Sequence, residues 1–419
     1  MRVGVIGAGI SGLVCAKRLL ELAAPTNLQL TVTTLEWGRG AGGRTARRRI
    51  KIKPPPTSSP AAVSMEQDIS FDHAAPYFSA RTEIFRERLL KEWQAQGLAA
   101  EWIVAAANIN VNGSDSDSSY WVGVPSNHAI ARGIIETIQS IKGVNCLFGK
   151  HVQKAEYNET EKVWRVTVAD RNDPDYQKDA TAMTTTYLFD ALVLSDKLLV
   201  LPNTYSILKE SDWKGLALPP GIKSTAAVVL LVAFHKSVTI GADGTIKGVC
   251  ESPKHPFLKT IIHESAKPGR DCNKNSSHHQ LDLWVVHSTH EYAVSHLVGE
   301  RLDDADSVRQ ELLDAFLTEI DAPSIDQQLL LAHSSVMAWD HAQPEDSDRL
   351  AVSHLLDAPR KAGLCGDYFY GTPAFQKTPS AITSTAARSD DCNQSLPSGV
   401  EAAALSGLAL AENLAPLLV

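Results

Sequence analysis

The run Gly7-Ala8-Gly9-Ile10-Ser11-Gly12 constrains this chain more than any other feature, because it sits between a strand pattern and a helix pattern. Arg2 to Ile6 is a short apolar run of strand length. After the turn, Leu13, Ala16, Leu20 and Ala23 recur at helical spacing until Pro25 stops them. A second strand pattern runs from Leu28 to Leu35 and closes on Glu36, 24 positions after Gly12. In a βαβ unit of this kind, Gly7 permits the tight turn, Gly9 lets a pyrophosphate approach the backbone, and Gly12 allows close helix–strand packing. The helix start offers unpaired N–H groups and partial positive charge to an anion. Glu36 is placed to accept hydrogen bonds from ribose hydroxyls. The chain is therefore expected to be α/β, with a dinucleotide on a Rossmann-like domain.

A second glycine cluster follows in Arg39-Gly40-Ala41-Gly42-Gly43-Arg44-Thr45. It resembles the segment that follows the first βαβ unit in amine-oxidase-like flavoproteins. Gly42 and Gly43 would let this loop lie against a pyrophosphate and ribityl chain, and Arg44 could offset phosphate charge. The basic run Arg47-Arg48-Arg49 with Lys51 and Lys53 reads as a solvated strand. Near the C-terminus, Ala362 to Cys365 is a strand pattern that places Gly366-Asp367 at its end. Ser398-Gly399-Val400-Glu401 fits a capping box, with Ser398 as N-cap and Glu401 at the third helical position. The helix it opens, Glu401 to Leu414, could aim its first amides at a flavin pyrimidine edge. An ordinary capped helix explains the spacing equally well.

Nucleotide-type signals at both ends imply one domain assembled from distant segments around an inserted second domain. The expected division is 1–80, 125–200 and 345–419 for the cofactor domain. Residues 81–124 and 201–344 would form a substrate domain of mixed or antiparallel sheet with helices. Thr82 to Gln96 is helical by periodicity, and Phe148 to Leu194 reads as a meander returning to one apolar strand, Phe189 to Leu194. Ala226–Phe234 and Leu281–His287 read as further strands, followed by a helix carrying Val308, Leu312, Ala315, Phe316 and Ile320. Pro54 to Gln67, Asn108 to Ser119 and Thr378 to Pro397 read as polar insertions or loops.

Across most of its length the sequence resembles a renalase-type member of the amine-oxidase-like flavoproteins. Phe71-Asp72-His73-Ala74-Ala75-Pro76-Tyr77-Phe78-Ser79-Ala80-Arg81 is similar to the family's F-D-x-G-A-Q-Y-F-x-x-R. Tyr120 to Asn127, Lys267-Pro268-Gly269-Arg270, Trp284 to Ser288, and Trp339 with Ala342 and Pro344 follow in the family's order. Cys365-Gly366-Asp367 and Val400 to Gly407 resemble its C-terminal blocks. The chain departs from the pattern at Ala74-Ala75-Pro76, at Ala402, and by an insertion across residues 372–398.

The resemblance implies FAD as cofactor. The expected contacts are Gly7, Gly9, Ile10, Ser11, Gly12, Glu36, Trp37, Arg39, Gly42, Gly43, Arg44, Val152, Gly366, Asp367, Gly399, Val400 and Glu401. It further implies an oxidase that takes hydride from a small reduced substrate, for renalases a dihydropyridine isomer of NAD(P)H, and passes electrons to O2 to give hydrogen peroxide. Hydride transfer needs orientation and an apolar pocket more than a base. Tyr77, His287 and Trp339 are the catalytic-pocket candidates, with Trp284 and Tyr368 as further aromatic possibilities; each also reads as core packing. Arg270 could clamp an anionic group or sit in a solvated turn. An amine oxidase or desaturase on the same fold, and a non-catalytic FAD-binding sensor, are the competing readings.

The formal net charge of −8 argues against nucleic acid as a partner, since phosphate affinity rests on basic surface. The six cysteines lack any close pairing, so neither a disulfide framework nor a metal site is expected. No apolar run reaches membrane-spanning length, and the N-terminus starts directly on a strand. A cytoplasmic protein without membrane contact is expected.

Overall fold

The computed structural model describes residues 1–26, 28–52, 67–103, 120–176, 184–201, 206–209, 215–218, 222–235, 248–251, 255–270, 281–299, 301–320, 331–344, 349–370 and 399–419. Ser398, the insertion across 372–398, the Asn108–Ser119 loop, and all but Gln67 of the Pro54–Gln67 segment lie outside these residues.

Strands β1 (Arg2–Ile6) and β2 (Thr31–Glu36) begin the chain, with the first helix (Ile10–Ala23) between them. A hairpin of β3 (Arg47–Ile52) and β4 (Gln67–Asp72) follows. Next come β5 (Phe78–Ser79), β6 (Ala99–Trp102) and β7 (Tyr120–Gly123), which form a small sheet. After helix His128–Gln139, β8 (Val144–Phe148) leads into an antiparallel sheet of β9 (Lys150–Asn158), β10 (Val163–Asp170) and β11 (Thr184–Phe189). The chain then returns as β12 (Ala191–Leu194).

The stretch from Phe189 to Leu194, expected as one strand, is thus two. At the break, Asp190 accepts the backbone N–H of Arg2 (2.7 Å) and pairs with its guanidinium (2.7 Å). That contact turns the chain from the antiparallel sheet into the parallel one.

Strands β13 (Ser224–Phe234), β14 (Val249–Glu251), β15 (Leu258–His263) and β16 (Asp282–Ser288) belong to a third large sheet, completed by β19 (Leu331–Pro344). A short hairpin, β17 (Leu297–Val298) with β18 (Arg301–Leu302), precedes helix Ala305–Glu319. Finally, β20 (Leu355–Asp357) and β21 (Ala362–Leu364) rejoin the first sheet before the last helix, Gly399–Leu414.

The nucleotide-type sheet has the order β20-β21-β12-β1-β2-β8, parallel from β21 to β8. Its inner strands read Val-Gly-Val-Ile and Ala-Leu-Val-Leu and are buried on both faces, as a covered parallel sheet requires. One face carries the first helix, helix His128–Gln139 and the last helix. A Cβ on Gly407 would meet the Ser11 carbonyl oxygen at 2.1 Å, so glycine there lets the last helix lie directly on the first. The other face is covered by the β9–β11 sheet, where Trp164 is buried and donates to the Arg360 carbonyl (2.8 Å).

The five-stranded antiparallel sheet, ordered β14-β15-β16-β13-β19, packs helix Ala305–Glu319 on one face. The β3–β4 hairpin packs Ile52, Ile69 and Phe71 on the other.

Candidate functional site

The first site residues lie where β1 ends. Gly7 takes φ +98, and a Cβ there would sit 2.3 Å from Ser195 Oγ. A Cβ on Gly12 would sit 2.4 Å from the Gly7 carbonyl. Gly9 differs: its backbone is extended, and an added Cβ would meet nothing within 4 Å among the described residues. It is the N-cap of the first helix and supplies no side-chain cap, so the first-turn amides have no side-chain acceptor at that position. Ile10 and Ser11 are buried, and Ser11 Oγ donates to the Ser195 carbonyl (3.1 Å).

The second glycine loop lies against this turn. Gly42, at φ +114, donates to the Ala8 carbonyl (2.8 Å), and Gly43, at φ +54, approaches the Gly9 Cα. The two clusters therefore bound one open cradle at the helix start.

Glu36 closes β2 beside the cradle. Its two carboxylate oxygens accept the N–H groups of Ala8 and Gly38, each at 2.6 Å. Burial raises its pKa above the ordinary carboxylate value, and these two hydrogen bonds work against that rise. Trp37 stacks on His151 at 5.0 Å between ring centres, and Arg171 lies over Trp37 and donates to its carbonyl (2.9 Å). Arg39 is exposed. The Val152 side chain is turned into the core beneath the β9–β11 sheet, which leaves its backbone for any ligand contact.

Arg44 and Asp367, each expected to meet the cofactor, meet each other. The guanidinium forms a two-pronged pair with the Asp367 carboxylate at 2.6 and 2.7 Å, and it also donates to the Ala342 carbonyl at 3.3 Å. Burial works against the arginine's charge, but Asp367 and Asp196 outweigh it and hold its pKa above the ordinary value. Gly366 donates to Ser406 of the last helix (3.1 Å).

Glu401 has a role that the capping-box spacing did not reveal. Its fully buried carboxylate accepts four hydrogen bonds: from Ser79 Oγ (3.0 Å), the Arg81 N–H (3.0 Å), and the Thr82 N–H and Oγ1 (2.7 Å each). Gly399, at φ +53, opens this helix with no atom of the described residues within 4 Å of an added Cβ, and Val400 is buried in the core.

The aromatic candidates separate by strand alternation. Trp284 and Val286 face helix Ala305–Glu319, so Trp284 is core, stacked on His263 at 4.1 Å. Tyr368 is also core, its hydroxyl donating to the Cys365 carbonyl (3.3 Å). His287 points from the opposite face of β16. It lines a cavity of about 20 Å³ with Ala74, Lys259, Ser288, His290, Trp339, Ala342 and Gln343, room for about one water. His287 Nε2 lies 2.6 Å from the His73 carbonyl, which fixes that nitrogen as the donor.

The His73 ring stacks on Trp339 at 5.3 Å. Among the described residues, His73 Nδ1 and Trp339 Nε1 are buried without a hydrogen-bond partner, a costly arrangement that a bound polar group would relieve. Burial pushes both His73 and His287 down to about 4, so both rings are neutral at pH 7. Tyr77 lies apart from this pair, edge-on to Tyr120 (4.9 Å) and near Trp102 (6.4 Å).

Arg270 is neither a solvated turn residue nor open to an anionic ligand. It sits in a buried cluster with Asp72, Glu264 and Lys267. Its guanidinium pairs with Asp72, donates to Glu264 (3.0 Å), and binds the carbonyls of Gly123 (2.9 Å) and Pro125. Lys267 Nζ lies 2.5 Å from Glu264. Burial and the neighbouring Glu264 raise Asp72 to about 6.

Sequence reading missed Asp196. It follows β12, its carboxylate accepts the Leu198 N–H (2.9 Å), and its charge acts on Arg44 and Glu36. Its signal was available, because residues just past the carboxyl ends of parallel strands line the crevice of such sheets. Among the described residues, no group of three metal-type side chains occurs, and no helix is long and apolar enough to cross a membrane.

Residues 5–93 match the family model of an NAD(P)-binding Rossmann-like domain. Similar solved structures include an oxidoreductase from Methanosarcina mazei at 13% identity, covering 98% of this chain and 100% of that one, with TM-score 0.49. A flavoprotein/dehydrogenase from Cytophaga hutchinsonii is 12% identical over 100% of this chain and 79% of that one, with TM-score 0.46. Aklavinone-11 hydroxylase, in a ternary complex with FAD and aklavinone, is 13% identical over 88% of this chain and 57% of its own, with TM-score 0.47. The α/β fold itself rests on the sheet order and the glycine turn of this chain.

Proposed function

We propose that the chain is an FAD-dependent oxidoreductase that takes hydride from a small reduced substrate, a dihydronicotinamide of the NAD(P)H-isomer type. The observation that carries this reading is the cradle at the first helix. Gly9 leaves open space there, the N-cap carries no side-chain acceptor, and Gly42 and Gly43 close over it. These features fit a pyrophosphate, which would take the helix amides as donors. Glu36 keeps lone pairs for ribose hydroxyls beyond the two hydrogen bonds it accepts. Asp367 stands at the strand end where ribityl hydroxyls would come. Bound there, the flavin would supply a two-electron acceptor and return the electrons to O2 as hydrogen peroxide.

This chain's own residues would bind and orient. The cavity beside β16 and β19 has no carboxylate among its described lining residues, and its one charged lining group is Lys259. A protonated amine would find no counter-ion there, whereas a neutral dihydropyridine needs none. Burial also holds His73 and His287 down to about 4, which makes both rings weak bases for taking a proton from an ammonium. Both features support the dihydronicotinamide over an amine. At about 20 Å³ the cavity must open to admit a ring, and Trp339, which lines it with an Nε1 that has no partner among the described residues, is the side chain to move.

The test is an anaerobic visible spectrum of the FAD-loaded protein before and after an equilibrated mixture of NADH isomers. Fast bleaching by the minor isomers, then recovery with peroxide in air, is the expected result. Unbleached flavin would reject the substrate class, and failure to take up FAD would reject the whole reading.

A further inference from the structure

We propose that Arg44 is a positioning residue that couples the nucleotide cradle to the substrate cavity. The inference rests on the flavin reading of the cradle and assigns Arg44 a task beyond holding the cofactor. Three segments distant in sequence converge on its guanidinium. Arg44 itself rides on the glycine loop, whose Gly43 backbone lies against Gly9. Two of its N–H groups hold Asp367, just past β21 of the nucleotide sheet (2.6 and 2.7 Å). A further N–H reaches the Ala342 carbonyl near the end of β19, in the five-stranded sheet (3.3 Å). Ala342 and Gln343 line the same cavity as Trp339 and His287.

The fork geometry matters. A guanidinium is planar and can satisfy a carboxylate in two places while a third donor serves a carbonyl, which an ammonium cannot do in the same plane. The Asp367 side chain is 7% exposed, and breaking one partner of a buried pair leaves the other uncompensated, so the three contacts move together. A pyrophosphate in the cradle would hold the glycine loop, because Gly42 is bonded to Ala8 and Gly43 lies against Gly9. Arg44 then carries that restraint to β19, an edge strand among the described residues, paired only to β13. Coupling of this kind is reciprocal, so a filled cavity should also tighten the cradle.

Hydrogen exchange of the 331–344 segment with and without FAD tests this directly, without any turnover. In the wild-type protein, FAD should slow exchange at the 340–344 end by about tenfold. Arg44→Met, saturated with FAD, should lose that protection relative to its own FAD-free form, a comparison that separates the coupling from the stability lost when Asp367 is left without its partner. Arg44→Lys, which keeps the charge and loses the fork, should retain part of it and serves if the methionine variant does not fold. Full protection in a flavin-loaded variant would overturn the proposal. No uptake of FAD by the wild type would instead overturn the flavin reading, and the coupling would fall with it.

Discussion

Gly9 and Gly12 share one turn, yet their surroundings set opposite expectations for the same substitution. Gly9→Ala places a methyl group in open space on extended backbone, so apo stability should change by no more than about 0.5 kcal/mol. The same methyl group would stand in the pyrophosphate's path, and FAD affinity should fall at least tenfold, by about 1.4 kcal/mol. Gly12→Ala drives a Cβ to 2.4 Å from the Gly7 carbonyl, and the overpacking should cost about 1–3 kcal/mol before any ligand is added. Urea unfolding and flavin titration of the two variants separate these effects; equal stability losses would refute the contrast.

Histidine supplies a second residue-scale expectation. Burial holds His73, His287 and His354 at about 4 in the folded protein, against about 6.5 unfolded. The unfolded chain binds more protons between these values. Their stabilising contribution is therefore complete above pH ~6.5 and is lost as pH falls toward 4. Replacing His287 with Gln removes one such proton. Urea unfolding from pH 4.5 to 6 should show a slope flatter by up to about 1.4 kcal/mol per pH unit. An unchanged slope would mean that His287 titrates alike in both states.

At the scale of elements, the last helix is fastened at its start by Glu401. The four donors it satisfies come from residues 79–82, where Thr82 in turn caps the helical stretch that follows. Glu401→Ala leaves those donors with no acceptor and should cost about 2–4 kcal/mol. Glu401→Gln, which keeps an acceptor oxygen, should cost less. Thermal unfolding of both variants checks the order. If alanine and glutamine were equally mild, Glu401 would not be holding the segment. Alternation acts at the same scale: one strand sends Trp284 into the helix-covered core and His287 toward the cavity, and no property of either residue alone decides which.

For the whole molecule, the buried cluster of Asp72, Glu264, Lys267 and Arg270 ties the β3–β4 hairpin and the turn before helix His128–Gln139 to the five-stranded sheet. Lys267→Met leaves two buried acids facing one arginine and should destabilise the protein by about 3–5 kcal/mol. A loss below about 1 kcal/mol would show that the cluster does not bind these parts together. The sequence alone determined the nucleotide fold at the first turn, because a strand, glycines at set spacing and a helix specify their geometry locally. The positions of Glu36 at the end of β2 and of Asp367 just past β21 were legible for the same reason, each set by the strand beside it. What only the tertiary structure decided were the partnerships: Arg44 with Asp367 and Ala342, Glu401 with residues 79–82, and Arg270 with Asp72 and Glu264. Each joins groups far apart in the chain, and burial of a charge dictates that it finds a partner without dictating which one.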